Sequence, residues 1–409
     1  MEKIKQDKIV IFGAGKIGRS FIGQLFSRGG YEVVFVDVFK PVIDELNRRK
    51  CYHVIIKSEQ DEILEITNVR GVHAYDLPGV SYEIATANLI AVSVGLQGLH
   101  GIFPLLAKGI LERFGRDNQW ALDIIIAENM RNADGFFRKK LGKLLPEDYP
   151  ISKLIGLVET SIGKMVPIMT KKDMEEDILQ VFAEPYNMLI LDKKAFKNPI
   201  PQISGLSPKD NMKAWVDRKL FIHNLGHAAT AYLGYLYNPR FVYLYEVLAI
   251  SEVYELVKET MKESANILKR KYPEEFSDED LENHIYDLLF RFQNKALGDT
   301  IYRVGCDLIR KLGPEDRLAG AIKVAIDYEL PYSRILYSLI CGFHFRACDE
   351  HGKMLAEDIE FVKMYKKGVD TVLRTICDFD PIQNFRLFND AFVIDRELSI
   401  HQSFDRALG

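Results

Sequence analysis

Residues 9–37, IVIFGAGKIGRSFIGQLFSRGGYEVVFVD, decide the fold: an apolar run, Gly13-x-Gly15-x-x-Gly18, an amphipathic stretch, and a second apolar run ending in Asp37. Each glycine has its own reason. Gly13 permits the tight exit from a strand, Gly15 lets a pyrophosphate approach the backbone, and Gly18 lets a helix pack on the strand. A helix starting near Lys16 turns its free N–H groups and positive dipole end toward phosphates, so Lys16 and Ile17 join the glycines as cofactor-binding candidates. Asp37, at the tip of the second strand, is placed to accept hydrogen bonds from the adenosine ribose hydroxyls. Its carboxylate repels a 2′-phosphate, which predicts NAD over NADP; Lys40 is the one nearby cation that argues otherwise.

Outward from this motif, short β-rich segments alternate with helical ones: YEVVFVD, YHVII, NLIAVSV, ALDIIIA and KLIGLVE. The run from Asn88 to Val94 takes the place of the fourth strand of a doubly wound sheet, whose carboxyl end lies beside a cofactor, and this adds Val94 to the cofactor contacts. VFAEPYNMLILD, with Pro185 inside it, reads as the last β element. After Pro199, Pro201 and the turn-rich GLSPKDN, the apolar period changes to that of helices. These are expected over 212–237, 241–271, 278–293, 315–328, 333–345, 357–377 and 382–397, with Ser277 and Asp280 as an N-capping signal and Pro314 and Pro331 as punctuation. The expected fold is therefore an α/β Rossmann-like doubly wound domain over residues 1–200, binding the dinucleotide, and a mostly α-helical domain over 201–409, binding substrate.

The bulk properties narrow the function. A chain of 409 residues that is 47% hydrophobic and 27% charged has the composition of a globular protein with room for two cores. Its formal net charge of −4 and pI near 6.2 give no global pull on nucleic acid or anionic membrane, so an anionic ligand must be caught by a local cluster of cations. No apolar run is long enough to span a bilayer, and MEKIKQDKIV has no signal-peptide core, which predicts a cytoplasmic protein. Cys51, Cys306, Cys341, Cys348 and Cys377 are scattered and lack metal-ligand spacing; neither a disulfide framework nor a metal site is expected.

A second informative segment is DRKLFIHNLGHAATAYL, residues 217–233. Lys219, Asn224 and His227 stand at offsets that an α-helix spreads over an arc of about 140°, so a long lysine can share a cleft with the amide and the imidazole. The three suit alcohol oxidation by hydride transfer. A desolvated lysine takes the hydroxyl proton, an amide stabilises the developing alkoxide, and a histidine orients the substrate. On spacing alone an equally ordinary arrangement is open: Lys219 reaching solvent while His227 and Asn224 satisfy each other in a core.

The combination of GAGKIGRSFIG, AENM at 127–130 and Lys219-x4-Asn224-x2-His227 resembles the polyol-specific long-chain dehydrogenases, the mannitol dehydrogenase family. Within it, RKLFIHNLGHAATAYLG, RFQNKALGDTIYRVG, RKLGPEDRL and FHFR are similar to the branch acting on mannitol 1-phosphate. The resemblance implies NAD in the amino-terminal domain, substrate against the helical domain, and oxidation of a secondary alcohol without a metal. It makes Lys219 the general base, Asn129 and Asn224 the oxyanion-stabilising pair, and His227 the group that holds the substrate hydroxyls. Asn129 also has a place of its own, after the apolar strand DIIIA, where open α/β sheets present ligand contacts; the plain alternative is that it caps the next helix.

Where the family usually reads Val-Asp-Arg-Ile-x-Pro, this chain reads Ile162-Gly163-Lys164-Met165-Val166-Pro167, losing a carboxylate and exchanging arginine for lysine. A phosphorylated substrate needs cations, and Arg303, Arg310, Lys311 and Arg317 lie close together in sequence. Arg303 and Lys311 align with the family's substrate contacts, while His344 and Arg346 line the site or tie helices together. The expected reaction interconverts mannitol 1-phosphate and fructose 6-phosphate. A dehydrogenase of a free polyol or hexuronate (mannitol, fructuronate, tagaturonate) and a non-catalytic NAD-binding sensor are the alternatives, and an oligomer is compatible with either.

Overall fold

A computed structural model of the chain describes residues 7–116 and 120–408, and the chain divides into two compact units, Met1–Val216 and Asp217–Gly409. The reading of the amino terminus as free of a signal segment falls largely on residues 1–6, outside those described.

In the first unit the strands are β1 (Lys8–Phe12), β2 (Glu32–Asp37), β3 (Cys51–Ile56), β4 (Glu62–Thr67), β5 (Val69–His73), β6 (Leu89–Val92), β7 (Leu122–Ile126), β8 (Ile155–Ile162), β9 (Val181–Ala183), β10 (Leu189–Asp192) and β11 (Leu206–Lys209). Eight of them form one sheet in the order β11-β10-β8-β7-β6-β1-β2-β5. From β5 to β8 every pairing is parallel, and β6 lies beside β1 as the fourth-strand reading requires. The run of apolar residues in β1 follows from burial on both faces: Ile9 and Ile11 pack with Val33 and Phe35 on one side, Val10 and Phe12 with Val34 and Val36 on the other. This is the doubly wound sheet the opening motif predicts.

Three β readings are corrected. VFAEPYNMLILD is two strands in two sheets: β9 joins β3 and β4, and β10 runs antiparallel to β8, with Pro185 between them unable to donate to a ladder. It is not the last β element either, since β11 pairs with β10 inside the stretch read as turn-rich. β11 sits at the sheet edge, where Pro208 is tolerated. The strands β4 and β5 carry too few buried side chains to announce themselves.

From Met212 onward the chain is helical. Met212–Arg218, Lys219–Asn224 and Leu225–Tyr237 follow one another as expected over 212–237, except that Lys219–Asn224 is wound as a π-helix. The expected 241–271 helix breaks into Leu244–Leu248 and Ser251–Lys271 at Ile250, whose backbone is extended. That over 357–377 breaks into Ala356–Tyr365 and Val369–Thr375 at Gly368, with φ +123°. Ser277 caps Asp278–Phe292 in a reciprocal capping box. Helix Ala319–Asp327 starts later than expected, Ser333–Phe343 ends earlier, and Phe385–Leu408 replaces 382–397. Two short helices, Ile301–Gly305 and Leu308–Lys311, have too few residues to show a period.

Candidate active site

At the carboxyl ends of β1, β2 and β6 the backbone is tightly cross-linked: Gly13 N–H donates to Val36 O at 2.9 Å and Ser93 N–H to Phe12 O at 2.8 Å. Gly13 has φ +99°, and a Cβ there would strike the Ser93 carbonyl; a Cβ on Gly18 would strike the carbonyl of Gly13. Gly15 differs, because nothing lies within 4 Å of where its Cβ would be. The first and third glycines are thus demanded by the protein itself, while the second faces open space. The helix begins at Lys16 and Ile17 and is π-wound over Gly18–Gly23.

Asp37 is held across this turn. One carboxylate oxygen accepts from Ala14 N–H at 2.7 Å and the other from Phe39 N–H at 2.8 Å, leaving each oxygen further acceptor capacity. Ala14, Gly15, Lys16, Asp37 and Phe39 line a cleft of about 460 Å³. Lys40 is tied to Asp44 at 2.6 Å on the surface. It is not the only cation near Asp37, as the sequence reading has it: Lys171, far along the chain, lines the same cleft.

Val94 occupies the N-cap position of helix Gly95–Gly115. The N–H groups of Gly95, at 2.9 Å, and of Val94 donate to the buried carboxylate of Glu128, whose pKa burial raises. Glu128 escaped the sequence reading although it stands inside AENM. Asn129 follows it, exposed, just past the carboxyl end of β7. It does not cap the next helix: the N-cap of Ala133–Leu141 is Asn132, and Ala133 N–H donates to Glu159 at 3.0 Å.

In the second unit the α-helical arc of about 140° does not apply across Lys219–Asn224, which has the wider turn of a π-helix, with Leu225 N–H bonded to Leu220 O. Such a turn brings residues five apart nearer to one face, so the backbone positions of Lys219 and Asn224 share a face more closely than α geometry allows. Loss of water, and then the cation of Arg317, lower the Lys219 pKa to about 8. Arg317 donates to the Asn224 carbonyl at 3.4 Å and to Asp316 at 2.7 Å.

His227 is not satisfied by Asn224. Its Nε2 pairs with Asp299 at 3.0 Å, and its ring stacks on Phe292 with centroids 4.6 Å apart. Burial, with Arg303, Arg317 and Lys311 pressing on it, holds the imidazole well below its usual pKa and so neutral. With Nε2–H donated to Asp299, Nδ1 is the acceptor nitrogen. Asp299 is the residue sequence reasoning missed most plainly; it sits before the N-cap of Ile301–Gly305 and also pairs with Arg303.

The cations of 303–317 separate. Lys311 is buried, donates to Val304 O at 2.7 Å, and has its pKa lowered to about 8 by burial and Arg317. Arg303 and Lys311 both lie close enough to His227 to depress it. Arg310 is bound to Asp307 and Asp316 at the surface. His344 joins Tyr365 and Asp395 at 2.9 Å each, and Arg346 donates to the carbonyls of Phe343 and Phe345 at 2.7 and 2.6 Å. His344 thus links its own helix end to two other helices, while these bonds of Arg346 are local. Among the described residues, no group of three or more His, Cys, Asp or Glu side chains is placed to hold a metal, and no helix is long and apolar enough to cross a membrane.

The mannitol dehydrogenase Rossmann domain matches residues 7–205 and the mannitol dehydrogenase C-terminal domain residues 211–393. The chain belongs to the mannitol dehydrogenase family. A mannitol-1-phosphate 5-dehydrogenase of Buchnera aphidicola subsp. Acyrthosiphon pisum (strain APS) is 31% identical over 93% of this chain and 96% of its own length. Among solved structures, a D-sorbitol dehydrogenase in substrate-free form has a TM-score of 0.80 at 16% identity, covering 96% of this chain and 93% of that one. A Pseudomonas fluorescens mannitol 2-dehydrogenase, in ternary complex with NAD and D-mannitol, has a TM-score of 0.71 at 15% identity, covering 99% and 95%. These two show the shared fold.

At Gly163-Lys164, where the sequence reading expects a departure from the family pattern, the lysine has a local task. Lys164 is buried and donates to the carbonyls of Glu184 and Tyr186 at 3.1 and 2.8 Å and to the Asn187 side chain at 2.9 Å. Lys164 thus ties down the loop between β9 and β10.

Proposed function

We propose that this chain is an NAD-dependent oxidoreductase that interconverts mannitol 1-phosphate and fructose 6-phosphate by metal-independent hydride transfer, with Lys219 as general base. The observation that carries the reading is Lys219 itself, a lysine brought to a pKa of about 8 on the same π-wound turn as Asn224. The glycine turn fits a dinucleotide: the backbone at Gly15 is open, Lys16 starts a helix, and Asp37 retains acceptor capacity for ribose hydroxyls. NAD, when bound there, supplies the hydride acceptor.

The rest is the work of the chain. Neutral Lys219 takes the proton of the substrate hydroxyl, and the Asn224 amide donates to that oxygen as negative charge develops. Nδ1 of His227, aimed by Asp299 through the other nitrogen, accepts from a neighbouring substrate hydroxyl. Asn129 keeps the role of amide donor that the resemblance gives it. Charge supports a phosphate: around His227, Arg303, Lys311 and Arg317 outnumber Asp299 and Asp316, and a phosphate dianion offsets the excess.

The test is NADH oxidation at neutral pH by the purified protein, with fructose 6-phosphate, fructose, fructuronate and tagaturonate in parallel and NADPH as a control. Turnover is expected with fructose 6-phosphate and NADH. Faster turnover with fructose or a hexuronate would overturn the phosphate assignment, and NADH binding without turnover on any of them would reduce the protein to a sensor.

A further inference from the structure

We propose that residues 169–178 form a second wall of the cofactor cleft, gripping the adenosine end of the dinucleotide, and that Arg19 is the positioning residue that holds this wall against the glycine turn. The inference rests on the NAD reading above and goes beyond the motif that led to it. Met169, Met174 and Ile178 line the 460 Å³ cleft together with Asp37, Phe39 and Val42. Phe39 is 53% exposed and Met174 48%, so large apolar side chains from both segments are left to water in a concave site. A flat, weakly polar ring whose ribose reaches Asp37 would cover both. That is the chemistry of a purine nucleoside.

The wall lies outside the βαβ unit that carries the glycines, and it is tethered at two points. Arg19 is buried, and its guanidinium donates to Ala14 O at 2.7 Å on the turn, and to Ile178 O at 3.0 Å and Leu179 O at 2.6 Å on the wall. Burying a guanidinium against carbonyls is costly, and what it gives here is a fixed distance between two chain segments. Asp177 next to it accepts from Arg49 through both oxygens at 2.9 Å, anchoring the wall to the helix Lys40–Arg49. The short helix Lys171–Glu176, which presents Met174, is closed by a capping box between Thr170 and Asp173.

The experiment measures dissociation constants of NADH, AMP and reduced nicotinamide mononucleotide by fluorescence titration and calorimetry for the full chain and its Met174→Asp, Met174→Leu and Arg19→Met variants. For Met174→Asp the values for NADH and AMP are expected to rise about tenfold, the equivalent of about 1.4 kcal/mol, with reduced nicotinamide mononucleotide unchanged; Met174→Leu restores both. Arg19→Met is expected to weaken NADH and AMP in the same pattern. Because Met174 is exposed, its variants keep the test valid should Arg19→Met fail to fold. Unchanged NADH and AMP binding in Met174→Asp would overturn the wall, and equal weakening of all three ligands would show a general loss of structure instead. A wild-type chain that binds neither NADH nor AMP would overturn the cofactor reading beneath it.

Discussion

Lys219 gives up its proton at about pH 8, well below a lysine in water, and this fixes the direction of each pH profile. With Lys219 as the proposed base, oxidation uses the neutral amine, so kcat for mannitol 1-phosphate should rise as pH passes upward through about 8; reduction uses the ammonium and should fall over the same range. Lys311, also near 8, loses its charge there as well. Above that pH, kcat/KM for fructose 6-phosphate should therefore fall more steeply than for an unphosphorylated ketose, a difference steady-state rates between pH 6 and 10 would display. Equal slopes would remove Lys311 from the phosphate site. The candidates Lys219, Asn224 and His227 stand out in the sequence because they interrupt an apolar helix with polar groups at short spacing. Asp299 does not, because an acid 72 residues away reveals its partner only once the chain has folded.

The elements that carry these residues differ in how openly the sequence announces them. β1, β2, β6, β7 and β8 are apolar because both their faces are buried, and all five were readable. The edge strand β11 and the half-exposed β4 lack that signature. A π-wound turn has no compositional mark at all, so the geometry joining Lys219 to Asn224 had to come from the structure. Gly13→Ala tests the tightest element: a methyl group there meets the Ser93 carbonyl at a backbone with φ +99°. Stability should drop by roughly 2 kcal/mol or more, with the thermal midpoint lowered and NADH binding weakened. Gly15→Ala, with space around it, should weaken NADH binding at nearly unchanged midpoint; a matching loss of stability in the two variants would contradict the division of labour among the glycines.

For the molecule as a whole, the formal net charge of −4 opposes an anionic substrate, so capture has to be local. Raising ionic strength screens that local cluster, and KM for fructose 6-phosphate should climb between 0.01 and 0.5 M salt while KM for an unphosphorylated ketose stays level. Family membership spans the chain, since the Rossmann and carboxyl-terminal domains of the mannitol dehydrogenases are both present, in order. The central claim is that Lys219 moves the proton while the glycine turn holds the cofactor. Lys219→Ala tests it most directly, with turnover of fructose 6-phosphate and NADH affinity determined on the same preparation. The account predicts a loss of about 10²- to 10⁴-fold in kcat at unaltered NADH affinity; turnover that survives, or NADH binding that disappears with it, would contradict the assignment of Lys219 as the base.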